Sequence, residues 1–161
     1  MHKQAALVFA TFASALLSFN TFAQTLPSGW TPWYQEYSAS EMNGFPKIEV
    51  DFNGDGQQDQ ARVLVLQNGQ TLGLFVFLTA SDGHTLSVKL EERSTKFGEY
   101  HLSPVSKGCY HLENGAQAMC LKYEGLAYTD LEYGDGAIHW FDRDQWRKTE
   151  YGRGIFKDLW R

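Results

Sequence analysis

Hydrophobic and polar residues alternate along short stretches of this chain, with a period of two. The alternation is clearest in 47–52, 61–66 and 85–91. A period of two sends successive side chains to opposite faces of a β-strand, so each range is predicted to be a half-buried strand. Residues 71–79 are instead almost continuously apolar. That pattern predicts a strand buried on both faces, near the centre of a sheet.

Turn signals separate these stretches. Asn68-Gly69, Ser81-Asp82-Gly83 and Asn114-Gly115 predict three tight turns, because these residue types adopt turn conformations at little steric cost. A last hairpin is predicted around Asp142-Arg143-Asp144, whereas the polar range 94–108 is predicted to be a loop. Short strands without a long helical period indicate a mainly β fold, a single domain of antiparallel hairpins with at most one or two short helices.

The first residues predict export. Lys3 is the only charged residue before the apolar run from Ala5 to Leu17, and Thr21-Phe22-Ala23 offers small residues for cleavage. We therefore expect a signal peptide over 1–23 and a single β-rich domain over 24–161, located in the periplasm or secreted. The apolar run is short for a membrane span, although an uncleaved anchor is the alternative.

Charge restricts the class of partner. The whole chain has a formal net charge of −5, with 14 basic and 19 acidic residues. Without 1–23 the charge is near −6, because that segment contains one basic and no acidic residue. An acidic surface argues against nucleic acid and against anionic lipid. No later stretch is long and apolar enough to predict a membrane span.

Only the loop 51–59 indicates a specific chemistry. Its sequence, Asp-Phe-Asn-Gly-Asp-Gly-Gln-Gln-Asp, has oxygen-bearing groups at alternate positions and a glycine at position six. Ca²⁺ takes six to eight oxygen ligands, and such a loop can direct several of them to one centre. The predicted ligands are Asp51, Asn53, Asp55, the backbone carbonyl of Gln57, and Asp59.

The loop departs from an EF-hand, because Arg62 occupies position 12 and the flanking ranges predict strands. In this form it resembles the strand-loop-strand calcium motif of FG-GAP/VCBS-type repeats, which usually occurs in several copies and here occurs once. With the stretches Leu26–Trp30, Phe75–Leu78 and Trp140–Asp142, the likeness extends to small exported bacterial proteins of unassigned function. It implies a structural Ca²⁺ and a β fold more than an activity. The alternative is a metal-free acidic turn, in which the three carboxylates would repel one another.

The two cysteines are predicted to form a disulfide. Cys109 and Cys120 are the only cysteines, and an oxidising compartment favours their pairing. Counting outward from the turn at Asn114-Gly115 places them opposite each other in a hydrogen-bonded pair, with an expected Cα separation of about 5.5 Å. A redox pair or a metal site is the alternative, but neither has the Cys-x-x-Cys spacing here.

Catalytic motifs are absent from the sequence. It contains no Gly-x-Ser-x-Gly, His-Glu-x-x-His or phosphate-binding glycine loop. His84, His101, His111 and His139 match no zinc spacing, so they are predicted to be surface or hairpin residues. The chain is therefore predicted not to be an enzyme. An acidic cluster in 124–135 either supplies the carboxylate pair of a glycosidase or is a solvated turn region.

Most of the many aromatic residues are predicted to pack in the core, and a subset is predicted to form a binding surface. Trp and Tyr combine an apolar body with a polar edge, which suits them to the core and to interfaces. The sequence favours a non-catalytic interaction protein, for example an inhibitor or immunity protein for a secreted toxin. The alternatives are a carbohydrate or cell-wall binding module and a hydrolase that uses the acidic cluster. The predicted surface for a basic protein partner or a sugar comprises Tyr128, Asp130, Glu132, Tyr133 and Asp135.

Overall fold

The computed structural model describes residues 25–34, 47–96, 100–110 and 118–152. The predicted signal peptide and the turn at Asn114-Gly115 lie outside these ranges. The described part consists of antiparallel strands and turns, which confirms the mainly β fold, and it contains no helix. Accordingly, no helix in these ranges is long and apolar enough to cross a membrane.

The first half of the chain forms one sheet of five antiparallel strands. The strands are β1 (Trp30–Pro32), β2 (Lys47–Val50), β3 (Asp59–Leu66), β4 (Thr71–Thr79) and β5 (Thr85–Ser94). β1 and β2 both pair with β3, β2 along its beginning and β1 along its end. β4 lies between β3 and β5, and its middle is buried, as its continuous apolar sequence predicts.

The second half forms a four-stranded sheet, in the order β11, β10, β9, β6, and a separate two-stranded hairpin of β7 and β8. The strands are β6 (Tyr100–Val105), β7 (Gly108–Tyr110), β8 (Met119–Leu121), β9 (Gly125–Asp130), β10 (Gly136–Asp142) and β11 (Gln145–Tyr151). The turn between β10 and β11 places Arg143 and Asp144 at positive φ, which confirms the predicted last hairpin.

Two sequence predictions were wrong in this half. The range 94–108 is not one loop, because it contains β6. β6 ends the described sheet, and a proline is tolerated in an edge strand because its missing N–H need not pair. The region after Gly125 is not a solvated turn throughout, since every residue of β9 is buried. Its burial comes from strands distant in sequence, which a local pattern does not reveal.

The two sheets pack against each other around one main core. Its buried residues are Phe52 from the loop between β2 and β3, Ala61, Val63, Leu72, Leu74 and Val76 from the first sheet, and Tyr100, Leu102, Leu126 and Tyr128 from the second. Burying each large apolar side chain contributes about 1.5–3 kcal/mol. On the other side of the second sheet, β8 packs Met119 and Leu121 against Ala127 and Ile138.

The β7–β8 hairpin carries the predicted disulfide. Cys109 and Cys120 are register partners, and their sulfur atoms are 2.03 Å apart. The pairing and the register are therefore as predicted. Their Cα separation is 4.0 Å, closer to the about 4.5 Å of a non-hydrogen-bonded pair than to the predicted spacing. The predicted Cα separation was therefore too long, and the turn on which the predicted pair type depends lies outside the described residues.

Candidate functional site

The loop between β2 and β3 is built around the carboxylate of Asp51. The backbone N–H groups of Gly54 and Asp55 donate to its Oδ1 at 2.7 and 3.2 Å, and that of Gly56 donates to its Oδ2 at 2.9 Å. Gly54 and Gly56 have φ values of +76° and +84°, a region that glycine occupies without steric cost. The two glycines let the backbone turn its N–H groups toward this one carboxylate.

Asp55 and Asn53 bond each other within the same loop. The N–H of Asp55 donates to Oδ1 of Asn53 at 3.0 Å, while Nδ2 of Asn53 donates to Oδ2 of Asp55 at 2.9 Å. Oδ1 of Asp55 accepts a bond from the N–H of Gln57 at 2.8 Å. Four of the five predicted ligand residues, Asp51, Asn53, Asp55 and Gln57, therefore belong to one short hydrogen-bonded turn.

Asp59 closes the loop from inside the protein. Its side chain is 1% exposed, and its carboxylate accepts the N–H of Phe52 at 3.0 Å and the N–H of Thr79 at 2.8 Å. Burial raises the pKa of Asp59 against the effect of these two bonds, and the charges of Asp55 and Asp51 raise it further. Its ionised form is therefore electrostatically disfavoured, and a cation beside it would relieve that cost.

The predicted ligand set fits Ca²⁺ in chemical type, since carboxylates and carbonyl oxygens are its preferred donors. The arrangement of the side chains fits less well. Within the described ranges, no group of three or more His, Cys, Asp or Glu side chains could hold a metal ion. Binding would require Asp51, Asp55 and Asp59 to direct oxygen atoms away from the loop amides and toward one centre.

The β9–β10 turn (131–135) is held rigidly by Asp130. The carboxylate of this buried residue accepts the N–H of Glu132 at 2.9 Å and the N–H of Tyr133 at 3.2 Å. The N–H of Gly134 donates to the carbonyl of Asp130 at 2.7 Å, and the N–H of Asp130 donates to the carbonyl of Asp135 at 2.8 Å. Four bonds thus converge on one residue and fix the conformation of the turn.

The predicted partner surface divides into an exposed and a buried part. Glu132, Tyr133 and Asp135 lie on the exposed turn, as a binding surface requires. Tyr128 is 1% exposed and belongs to the main core, and Asp130 is buried beneath the turn, so placing these two on the surface was wrong. Both lie on β9, whose burial the sequence pattern did not reveal. Sequence reasoning also missed Leu131, the other exposed apolar residue of the turn.

A cluster of charged side chains joins the two sheets and was not predicted. The carboxylate of Glu91 on β5 accepts a bond from Nε of Arg93 at 2.6 Å. It lies 3.1 Å from Nε2 of His139 on β10 and 3.3 Å from Nζ of Lys148 on β11. His139 is a hairpin residue, as predicted, but it is buried and not on the surface.

The cluster controls the ionisation of Glu91. Burial alone would raise the pKa of Glu91, but hydrogen bonds from His139 and Arg93, with the charges of Arg93 and Lys148, outweigh it and hold this pKa at about 2. The carboxylate is therefore charged at neutral pH. Arg93 lies on the same strand as Glu91, but His139 and Lys148 lie on a hairpin at least 48 residues further along the chain, so no spacing motif could have indicated the cluster.

Comparison with protein-family models, with curated proteins and with solved structures finds no match to this chain. The likeness to FG-GAP/VCBS repeats therefore depends on the residues of the loop and its flanking strands. Function has to be inferred from the geometry of the acidic loop, the β9–β10 turn and the charged cluster.

Proposed function

We propose that this chain is a non-catalytic exported protein that binds a basic surface of another protein through the β9–β10 turn. An inhibitor or immunity protein for a secreted toxin is the specific role we favour. The observation that carries the proposal is the turn itself, which exposes Leu131 and Tyr133 by 42% and 46% above the buried anchor Asp130.

A rigid turn is suited to binding because little conformational entropy remains to be lost on association. The four hydrogen bonds around Asp130 supply that rigidity. Tyrosine is one of the residue types that contribute most to protein interfaces, and a neighbouring leucine extends the apolar contact. Tyr133 and Leu131 would therefore form the centre of the interface.

The charge of the turn indicates the charge of the partner. Glu132 and Asp135 are exposed beside Tyr133, and the whole chain is acidic. Acidic groups at the rim of an interface accelerate association with a basic partner and disfavour acidic ones. A basic protein meets this requirement, whereas nucleic acid does not.

The test uses the purified exported chain to capture proteins from the bacterium that produces it. We expect one basic protein to be captured, and its activity to be inhibited by the wild-type chain. Truncating both exposed side chains, Leu131→Ala with Tyr133→Ala, should weaken binding by at least about tenfold, because interface anchors contribute 2 kcal/mol or more. The melting temperature should be unchanged, since neither side chain belongs to the core.

Leu86→Ala is the matched control, because Leu86 is 64% exposed on β5, outside the turn. It should bind as the wild type does. Equal binding by the turn variant and the control would refute the assignment of the surface. Binding to a glycan panel that depends on Tyr133, without capture of a protein, would favour the carbohydrate module instead. Turnover of a glycan that Glu132→Gln abolishes would favour the hydrolase.

The second part of the proposal is a structural Ca²⁺ in the loop 51–59. It is supported by the five oxygen-bearing residues and by the raised pKa of Asp59 beside two other carboxylates. Bound Ca²⁺ would neutralise the negative charges of these carboxylates and connect the beginning of the loop to β3. Nothing in this role requires the ion to contact a partner.

Calcium should raise the melting temperature of the wild type relative to chelator, because a ligand that binds only the folded state stabilises it. Asp55→Ala should remove the increase. Asp82→Ala is the control: Asp82 caps another Asp-Gly turn by accepting the N–H of His84 at 3.0 Å, outside the loop. Superimposable melting curves with calcium and with chelator would rule out the site.

A further inference from the structure

The disulfide joins the two strands of the β7–β8 hairpin on the outer side of that hairpin. Met119 and Leu121 of β8 are buried, and Cys120 between them is exposed, so Cys120 points away from the second sheet. Its register partner Cys109 is exposed as well. The S–S bond therefore lies on a side of the hairpin that a thiol in solution can reach.

The two strands of the hairpin are attached unequally to the rest of the fold. In the described part of the chain, β7 and β8 pair only with each other, over three register pairs. Met119 and Leu121 hold β8 in an apolar cluster with Val105 and Ile138, whereas β7 adds only the partly buried Tyr110. β8 is therefore the anchored strand, and β7 depends on β8 and on the disulfide.

The hairpin lies outside the main core. The core between the two larger sheets contains no residue of β7 or β8. A two-stranded hairpin without further support is marginally stable in water. Opening the disulfide should therefore release β7, while the two larger sheets keep the packing that holds them together. Exposed disulfides are the ones most often labile or regulatory.

We propose that the Cys109–Cys120 disulfide is a redox site that a dithiol protein opens without unfolding the domain. It is a substrate of thiol exchange and not a catalytic redox pair, which would have the Cys-x-x-Cys spacing. Since Tyr110 covers part of the apolar cluster, the redox state of the two cysteines would control access to this face of the second sheet. The site goes beyond the proposed function and does not depend on it.

The exchange balances in two steps. A thiolate of the dithiol protein attacks one sulfur atom, the S–S bond breaks, and the other cysteine leaves as a thiolate. The second thiol of the dithiol protein then displaces the first cysteine and forms the dithiol protein's own disulfide. Two electrons pass to this chain, and its two thiolates take up the two protons that the dithiol loses.

The first experiment measures reduction of the folded exported chain by dithiothreitol, with and without a catalytic amount of thioredoxin. Alkylation of the free thiols and mass spectrometry give the rate. We expect the rate to rise in proportion to the dithiothreitol concentration, because an exposed disulfide reacts without prior unfolding, and thioredoxin to accelerate it at least about tenfold. A rate that stops rising with dithiothreitol would show that unfolding comes first, and the absence of acceleration would exclude a dithiol protein as the reductant; either result overturns the proposal.

The second experiment compares hydrogen exchange in the oxidised and the reduced protein. Amides in 108–110 should exchange at least about tenfold faster after reduction, whereas those of β9 and β10 should be unchanged. Cys109→Ser combined with Cys120→Ser should exchange without reductant as the reduced wild type does. Wild type treated with oxidised dithiothreitol is the control and should exchange as the untreated protein does.

Two patterns of exchange would contradict the proposal. Unchanged exchange in 108–110 after reduction would mean that the disulfide does not hold β7 in place. Equal acceleration in 108–110 and in β9 and β10 would mean that reduction unfolds the whole domain. If the double variant does not fold, the reduced wild type provides the same comparison. Neither the variant nor the reductant alters the residues of the β9–β10 turn, so each result is independent of the partner-capture experiment.

Discussion

Replacing Asp59 by alanine should destabilise the protein even without calcium. The change removes both carboxylate oxygens that accept the N–H groups of Phe52 and Thr79. An unsatisfied buried donor costs about 1–3 kcal/mol. The Phe52 bond is buried and the Thr79 bond is partly buried, so the first should cost more. The two together cost about 2–6 kcal/mol.

Part of this cost is offset. Burial disfavours the ionised form of Asp59, as its raised pKa indicates, and alanine removes that penalty. We therefore expect a net loss of about 2–4 kcal/mol in the free energy of unfolding at pH 7. The measurement is urea denaturation in chelator, with the m-value compared between proteins to confirm that the same transition is observed.

Asp55→Ala provides the comparison. Asp55 is exposed and bonds only within the loop, so its replacement should cost about 0.5 kcal/mol or less in chelator. In calcium, both variants should lose the increase in stability that the ion gives to the wild type. A loss below about 1 kcal/mol for Asp59→Ala in chelator, or one equal to that of Asp55→Ala, would refute the conclusion that the buried Asp59 carboxylate stabilises the fold through the N–H groups of Phe52 and Thr79.

Other perturbations test the remaining geometry. Gly54→Ala should lower the free energy of unfolding by about 2–3 kcal/mol, because the added Cβ is strained at positive φ and overlaps the ring of Tyr123. Gly56→Ala adds a Cβ in open space and should lower it by about 1 kcal/mol. Equal losses for the two variants in urea denaturation would contradict this difference. The pKa of Glu91 is 4.5 in the unfolded chain and about 2 in the folded protein. Its ionised form therefore adds about 3 kcal/mol to the free energy of unfolding above pH 4.5, and this contribution is lost as the pH falls toward 2. Glu91→Gln should flatten the stability profile in that window, and an unchanged slope would count against the cluster. Reducing the disulfide should lower the free energy of unfolding by about 2–3 kcal/mol, measured by urea denaturation with and without reductant. An unchanged value would mean that the disulfide does not stabilise the fold by restricting the unfolded chain.

The local features were predictable because each depends on residues close in sequence. The alternation in 61–66 and the apolar run in 71–79 led to β3 and β4, because side-chain direction in a strand has a fixed period of two. Asn68-Gly69 and Asp82-Gly83 marked their turns through backbone preferences. The disulfide register followed from counting outward from one turn.

β9 was missed for the opposite reason. Its six residues begin with Gly125 and end with Asp130, residue types typical of turns, and their burial depends on β6, β10 and the main core. The same strand carries Tyr128 and Asp130, which were predicted to be exposed. An error in the environment of one strand therefore became an error in the predicted partner surface.

By itself the sequence determined the β class, the turns at Asn68-Gly69 and Asp82-Gly83, the cysteine pairing and the oxygen-rich loop, since these follow from local backbone preferences and side-chain type. Only the tertiary structure decided which acidic residues are buried, that Asp59 links the loop to β4, and that Glu91 meets His139 and Lys148. The physical reason is that burial and electrostatics depend on distances in space, and the packing of two sheets brings together residues that the chain keeps far apart.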